Sequence, residues 1–130
     1  MDSSQGDAQG ARASVPITPA SLGDGQSTRT NLYWGALYGV RTHLTKKAGW
    51  RLVTRSKGTS EKVLEQLRLR TKVRRNGRWI RAELDALAYD GRFIEAATRD
   101  FLEASAGRGP CADRHVVVYV GHNGLMDFDL

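Results

Sequence analysis

The residues best suited to chemistry stand near the end of the chain. His122 follows the run His115-Val116-Val117-Val118-Tyr119-Val120 and is held within Gly121-His122-Asn123-Gly124. A histidine titrates near neutrality, so at the end of a strand it can act as a general base or acid. The flanking glycines open backbone conformations closed to other residues and let a substrate chain come close. The plainer reading of the same residues is a turn histidine whose ring bonds the neighbouring backbone. Cys111 is the one cysteine and hence the one thiol nucleophile. It precedes the apolar run while His122 follows it, and six residues of strand span about 20 Å. Nucleophile and base must come within about 3 Å, so Cys111 reads as a small, partly buried loop or strand-edge residue. One Cys and three scattered His supply neither a disulfide framework nor a thiolate zinc site, and no cofactor or metal is implied.

The second constellation is basic. Between Arg41 and Arg81 there are 14 basic residues and two acids, Glu61 and Glu65, a local balance of +12 in a chain whose net charge is +6. Such a block is an electrostatic footprint for nucleic acid or another anionic surface, or it is the solvated side of ordinary strands and helices. Within it Leu67, Leu69, Thr71 and Val73 alternate with Arg68, Arg70, Lys72 and Arg74, and Asn76-Gly77 follows. Asn-Gly between alternating segments is the strongest local hairpin signal. With those two residues as the turn, Arg75 faces Arg78, Arg74 faces Trp79 and Val73 faces Ile80. Leu69, Thr71, Val73, Ile80, Ala82 and Leu84 then share one side, and the arginine-rich side faces solvent. The competing reading makes residues 83–89 helical, because Glu83, Leu84, Ala86, Leu87 and Ala88 are good helix formers. Trp34, Trp50 and Trp79 read as core or cover residues. Together with Arg74, Arg75, Arg78 and Arg81, however, Trp79 forms the best aromatic-plus-basic cluster for nucleic acid. His43, beside the stripe of the first helix, reads as a surface or cap residue, His115 as a structural residue that opens a strand, and Asp127 and Asp129 as solvated carboxylates.

These groups need elements to position them. At 130 residues, 40% apolar and 26% charged, the chain is one ordinary globular domain. Residues 1–14 read as a disordered tail, followed by a domain over 15–130 in which Val15 to Pro19 is a short extended piece. Residues 20–30 read as a loop around Gly23-Asp24-Gly25. A helix is expected over residues 31–44, where Tyr33, Ala36, Leu37, Val40 and Leu44 recur at helical spacing. Residues 50–55 alternate as a strand, and Ser60 caps a short helix over 61–67. A second amphipathic stripe, Phe93, Ile94, Ala97, Phe101 and Ala104, is stopped by Gly107, Gly109 and Pro110. The HVVVYV run has the make-up of a strand buried on both faces of a parallel sheet. The polar N-terminus and the absence of a long apolar run predict a cytoplasmic protein with no membrane span.

The run VVVYVGHNG resembles the catalytic-histidine strand of caspase-like cysteine peptidases. NLYWGALYGV and ALAYDGRFIEAATRDFLEAS resemble the first helix, and the helix before that strand, in a bacterial branch of the group. The resemblance covers roughly residues 17–127. It implies a three-layer α/β fold, a partial caspase-like domain with a mainly parallel sheet flanked by helices and the Arg-rich β-hairpin as an insertion. It matches His122 to the catalytic histidine, and Gly121 to the glycine that helps present a backbone N–H to the oxyanion. In that group the nucleophilic cysteine ends the next strand, yet none of the eight residues after His122 is Cys. The resemblance thus implies a truncated or degenerate peptidase, inactive alone. Its expected partner is a Cys-bearing complementary half, or a second copy paired through the exposed sheet edge, with a peptide substrate once completed. The alternative is a small basic binding module that contacts nucleic acid or an anionic partner through residues 68–81.

Overall fold

A computed structural model describes residues 20–58 and 60–122. The tail read over 1–14, the extended piece at Val15 to Pro19, and Asn123, Gly124, Asp127 and Asp129 lie outside the described residues.

Among the described residues three strands carry the fold: β1 (Arg51–Lys57), β2 (Val63–Arg75) and β3 (Arg78–Tyr89), in the order β1-β2-β3 and antiparallel throughout. Asn76 (φ 50°) and Gly77 (φ 76°) both take left-handed conformations, as a two-residue hairpin turn with the twist of its strands requires. Their register is the expected one, Arg75 opposite Arg78, Arg74 opposite Trp79 and Val73 opposite Ile80. Residues 83–89 therefore belong to the sheet, not to a helix.

The expected three-layer, mainly parallel sheet is not formed among the described residues, whose sheet is antiparallel. A parallel return needs a crossover of a dozen or more residues, whereas β1 and β2 are separated by residues 58–62 and β2 and β3 by the Asn-Gly turn alone. The Arg-rich hairpin is the body of the sheet, not an insertion. The HVVVYV run joins no sheet among the described residues, and Val116, Val118 and Val120 are 76, 72 and 54% exposed. Its β-branched composition favours extended backbone but does not supply a pairing partner.

The core lies on one face of the β2–β3 ribbon near its base. Leu67 and Leu69 are fully buried, with Ala86, Ala88 and Trp34 around them and Val40, Leu44, Trp50 and Leu84 packed against the cluster. Each buried leucine contributes about 1.5–3 kcal/mol. The helix expected over 31–44 is confined to α1 (Val40–Lys46). Residues 31–39 turn instead, because Gly35 sits where a Cβ would strike the carbonyls of Thr28 and Arg29, and Gly39 is extended against the backbone of Trp34. The short helix expected over 61–67 is replaced by the start of β2; so few residues make a marginal helix, and pairing on both sides outweighs it. The second stripe forms α2 (Ile94–Ser105), entered through a 3-10 turn at Gly91–Phe93 that Asp90 caps by accepting from the Arg92 N–H at 2.9 Å.

Candidate functional site

Pairing to β1 ends at Arg70, opposite Arg51. Beyond that rung, residues 71–75 and 78–82 continue as a two-stranded arm about 17 Å long at strand spacing. Every residue from 72 to 81 is exposed. A hairpin of two strands is marginal in water without a covered face, so the Asn-Gly turn and the three-stranded base must hold it in register.

Charge changes character along this ribbon. On its lower rungs each arginine meets an acid across the strand pair. Arg68 grips Asp85 with two hydrogen bonds of 2.8 and 3.1 Å, and Arg70 Nε donates to Glu83 at 2.8 Å. Arg114 adds a second guanidinium on Asp85 at 2.8 Å. The hydrogen bond from Arg68 holds the Asp85 carboxyl below its ordinary range, and the one from Arg70 does the same for Glu83. Above them the acids stop. Lys72 stands opposite Arg81 and Arg75 opposite Arg78, like charges directly across from one another, an arrangement that destabilises a strand pair. Residues 71–82 hold five cations and no acid. None of those five, Lys72, Arg74, Arg75, Arg78 and Arg81, has an acidic partner among the described residues.

The two faces of the arm differ because side chains alternate. One carries Lys72, Arg81, Arg74 and Trp79; the other carries Val73 and Ile80, with Arg75 and Arg78 at the tip. Trp79 is 66% exposed, with the Arg74 guanidinium 5.8 Å from its ring centre. The reading of all three tryptophans as core or cover thus holds for Trp34 and Trp50 and fails for Trp79, which lies beyond the last buried rung. An open groove lined by Gly49, Arg51, Arg70, Thr71, Lys72 and Arg81 continues the basic face toward β1.

At the base of the ribbon, buried Glu65 gathers three donors from three parts of the chain. Trp34 Nε1 donates to its Oε1 at 3.2 Å, Arg41 Nη1 to Oε1 at 3.3 Å, and Arg55 Nη2 to Oε2 at 3.3 Å. That node ties α1 and β1 to the strand from which the arm extends.

The histidine constellation is not assembled as expected. No strand among the described residues presents His122, which is exposed and whose carbonyl accepts from Tyr119 Oη at 2.8 Å. Gly121 lies against the Tyr119 ring, which in turn packs on Phe101 at 5.7 Å between centres. Cys111 is a half-buried free thiol in the turn after α2, the loop position expected for it. His43 lies on α1, its Nδ1 buried without a hydrogen-bond partner among the described residues. No described helix is long and apolar enough to cross a membrane.

Sequence reasoning brought Arg74, Arg75, Arg78, Trp79 and Arg81 together on one hairpin and included Lys72 within the segment 68–81, but it missed Arg51 as a member and Asp85 and Glu83 as the acids that neutralise the base. The signal for those acids was available, since Arg68 and Asp85, and Arg70 and Glu83, are equally far from the Asn-Gly turn. No protein-family model, curated protein or solved structure matches the chain.

Proposed function

We propose that this chain is a nucleic-acid-binding module whose β2–β3 arm neutralises backbone phosphates. The observation that carries the reading is the change of charge along one ribbon: acids satisfy the arginines at its base, and on the protruding part five cations have no acidic partner among the described residues. Arginines kept for solubility alone gain nothing from being placed opposite one another, where they repel. A polyanion brought to the arm removes that repulsion and releases its own counterions. A guanidinium also offers forked donors that match phosphate oxygens.

Fluorescence anisotropy with labelled oligonucleotides across a salt series tests the proposal. Five phosphate contacts give a log–log salt slope of about −3.5 on a single strand or −4.5 on a duplex. In the Arg74→Gln/Arg75→Gln/Arg78→Gln variant the slope should shrink by about 2 or more, with unchanged circular dichroism. Failure to bind any oligonucleotide at low salt, or a slope unmoved by the triple variant, refutes it.

A further inference from the structure

Resting on that reading, we infer that the preferred ligand is single-stranded nucleic acid, with one unpaired base stacked on Trp79 and the adjoining phosphates led down the Lys72–Arg81 rung toward Arg51. The indole is the one large aromatic on the arm, it is 66% exposed, and Arg74 stands by its ring. Inside a duplex the π-faces of the bases are taken by their neighbours, and only base edges and phosphates are offered. A lone exposed indole therefore has a stacking partner only where a base is free.

The distribution of charge agrees. A duplex offers two phosphate strands, one on either side of a groove, whereas below its tip this arm has cations on one face and Val73, Ile80, Thr71 and Ala82 on the other. That one face can follow a single phosphate strand. From Trp79 to Arg81 is two residues, about 7 Å of strand, a distance that one nucleotide of an extended strand covers. Further along the same face, the groove that Arg51, Arg70, Lys72 and Arg81 line gives the next phosphates a basic floor. Arg70 is partly spent on Glu83, which leaves Arg51, Lys72 and Arg81 as the groove's open cations.

The experiment compares the wild-type chain with Trp79→Ala and Trp79→Phe against four probes: a thymidine 12-mer, its ribonucleotide equivalent, an abasic 12-mer with the same phosphates, and a duplex of the same length. The expected result is tighter binding of the two base-bearing single strands than of the abasic strand or the duplex. Trp79→Ala should lose roughly 10- to 100-fold on the base-bearing strands, change little on the other two, and recover most of the loss as Trp79→Phe. Thermal melts of both variants, superimposable on wild type, exclude unfolding as the cause. Equal affinity for abasic and base-bearing strands, or an equal loss on duplex and single strand, overturns the stacking inference while leaving phosphate binding by the arm in place. Absence of binding to all four probes overturns both.

Discussion

Removing the Glu65 carboxylate should be among the most damaging single changes that leave the leucine core untouched. In Glu65→Ala the Trp34 indole N–H, on a side chain only 7% exposed, loses its acceptor. A buried donor left unsatisfied costs about 1–3 kcal/mol. Arg41, with its side chain 19% exposed, loses its counter-ion at the same time. Breaking a fully buried pair costs about 3–5 kcal/mol, and the residual hydration of Arg41 places this loss toward or below the lower end. Arg55 is 56% exposed and can turn to water, so its share is under about 1 kcal/mol. Together these give a destabilisation of about 4 kcal/mol, or a fall in Tm of about 15 °C for a domain of this size. Glu65→Gln keeps an oxygen for the indole and loses only the charge, so it should cost about 1–2 kcal/mol. Urea and thermal unfolding followed by circular dichroism measure both variants. Adding Arg41→Ala to Glu65→Ala should cost less than the two changes summed, because the stranded guanidinium is then gone. A Glu65→Ala protein as stable as wild type, or no more damaged than Glu65→Gln, would show that the node does not bind α1 and β1 to the ribbon.

Asp90 is 1% exposed, and hydrogen bonds from Arg92 hold its pKa at about 2, against an ordinary value of about 3.9. A depressed carboxylate contributes stability that is fully present above about pH 4 and lost as pH falls toward 2; Asp90→Asn should flatten that part of the stability–pH curve, and an identical acid limb in both proteins would contradict it. Gly91→Ala should lower the urea midpoint by the equivalent of about 1–3 kcal/mol, since its Cβ would lie 2.9 Å from the Gly25 Cα and push apart a 2.8 Å hydrogen bond from the Gly91 N–H to the Gly25 carbonyl; an unchanged midpoint would mean that the two segments separate freely. Leu69→Ala, at a fully buried position, should cost about 2–5 kcal/mol by the same measurement, whereas Val73→Ala, four residues along the same face and 46% exposed, should cost under about 1 kcal/mol. Equal losses at the two positions would place the end of the core further out on the ribbon.

The hairpin was legible because its determinants are local. Two residues fix the turn, and the alternation on either side fixes which side chains share a face, so the register from Arg75–Arg78 back to Leu69–Leu84 could be read before any tertiary contact was considered. The α2 stripe was legible for the same reason. The first helix was overestimated because Gly35 and Gly39 fit helical spacing as letters, while their need is set by the backbone of Thr28, Arg29 and Trp34 folded against them. The run at 115–120 misled most. Its composition states a preference for extended backbone, but membership of a sheet depends on a neighbour elsewhere in the chain, and the parallel topology drawn from it had no support in connection lengths. With residues 63–75 a strand, the five-residue link from β1 requires an antiparallel return. On the candidate site, the cluster of cations with Trp79 could be read from the turn outward. What could not be read was where β1 stops, and that boundary turns part of the hairpin into an arm.

The alternation of faces along β2 and β3 also constrains how the arm can change length over evolutionary time. A single residue inserted into one strand between Leu69 and Thr71 would shift everything beyond it by one position and exchange the row of Lys72 and Arg74 with that of Thr71 and Val73. Two residues added to each strand would instead preserve both faces and extend the reach by about 7 Å. Homologous arms should therefore differ in steps of four residues placed symmetrically about the Asn-Gly turn, and a lone insertion should be found only where a bulge absorbs it, as one already does between Leu52 and Thr54 in β1.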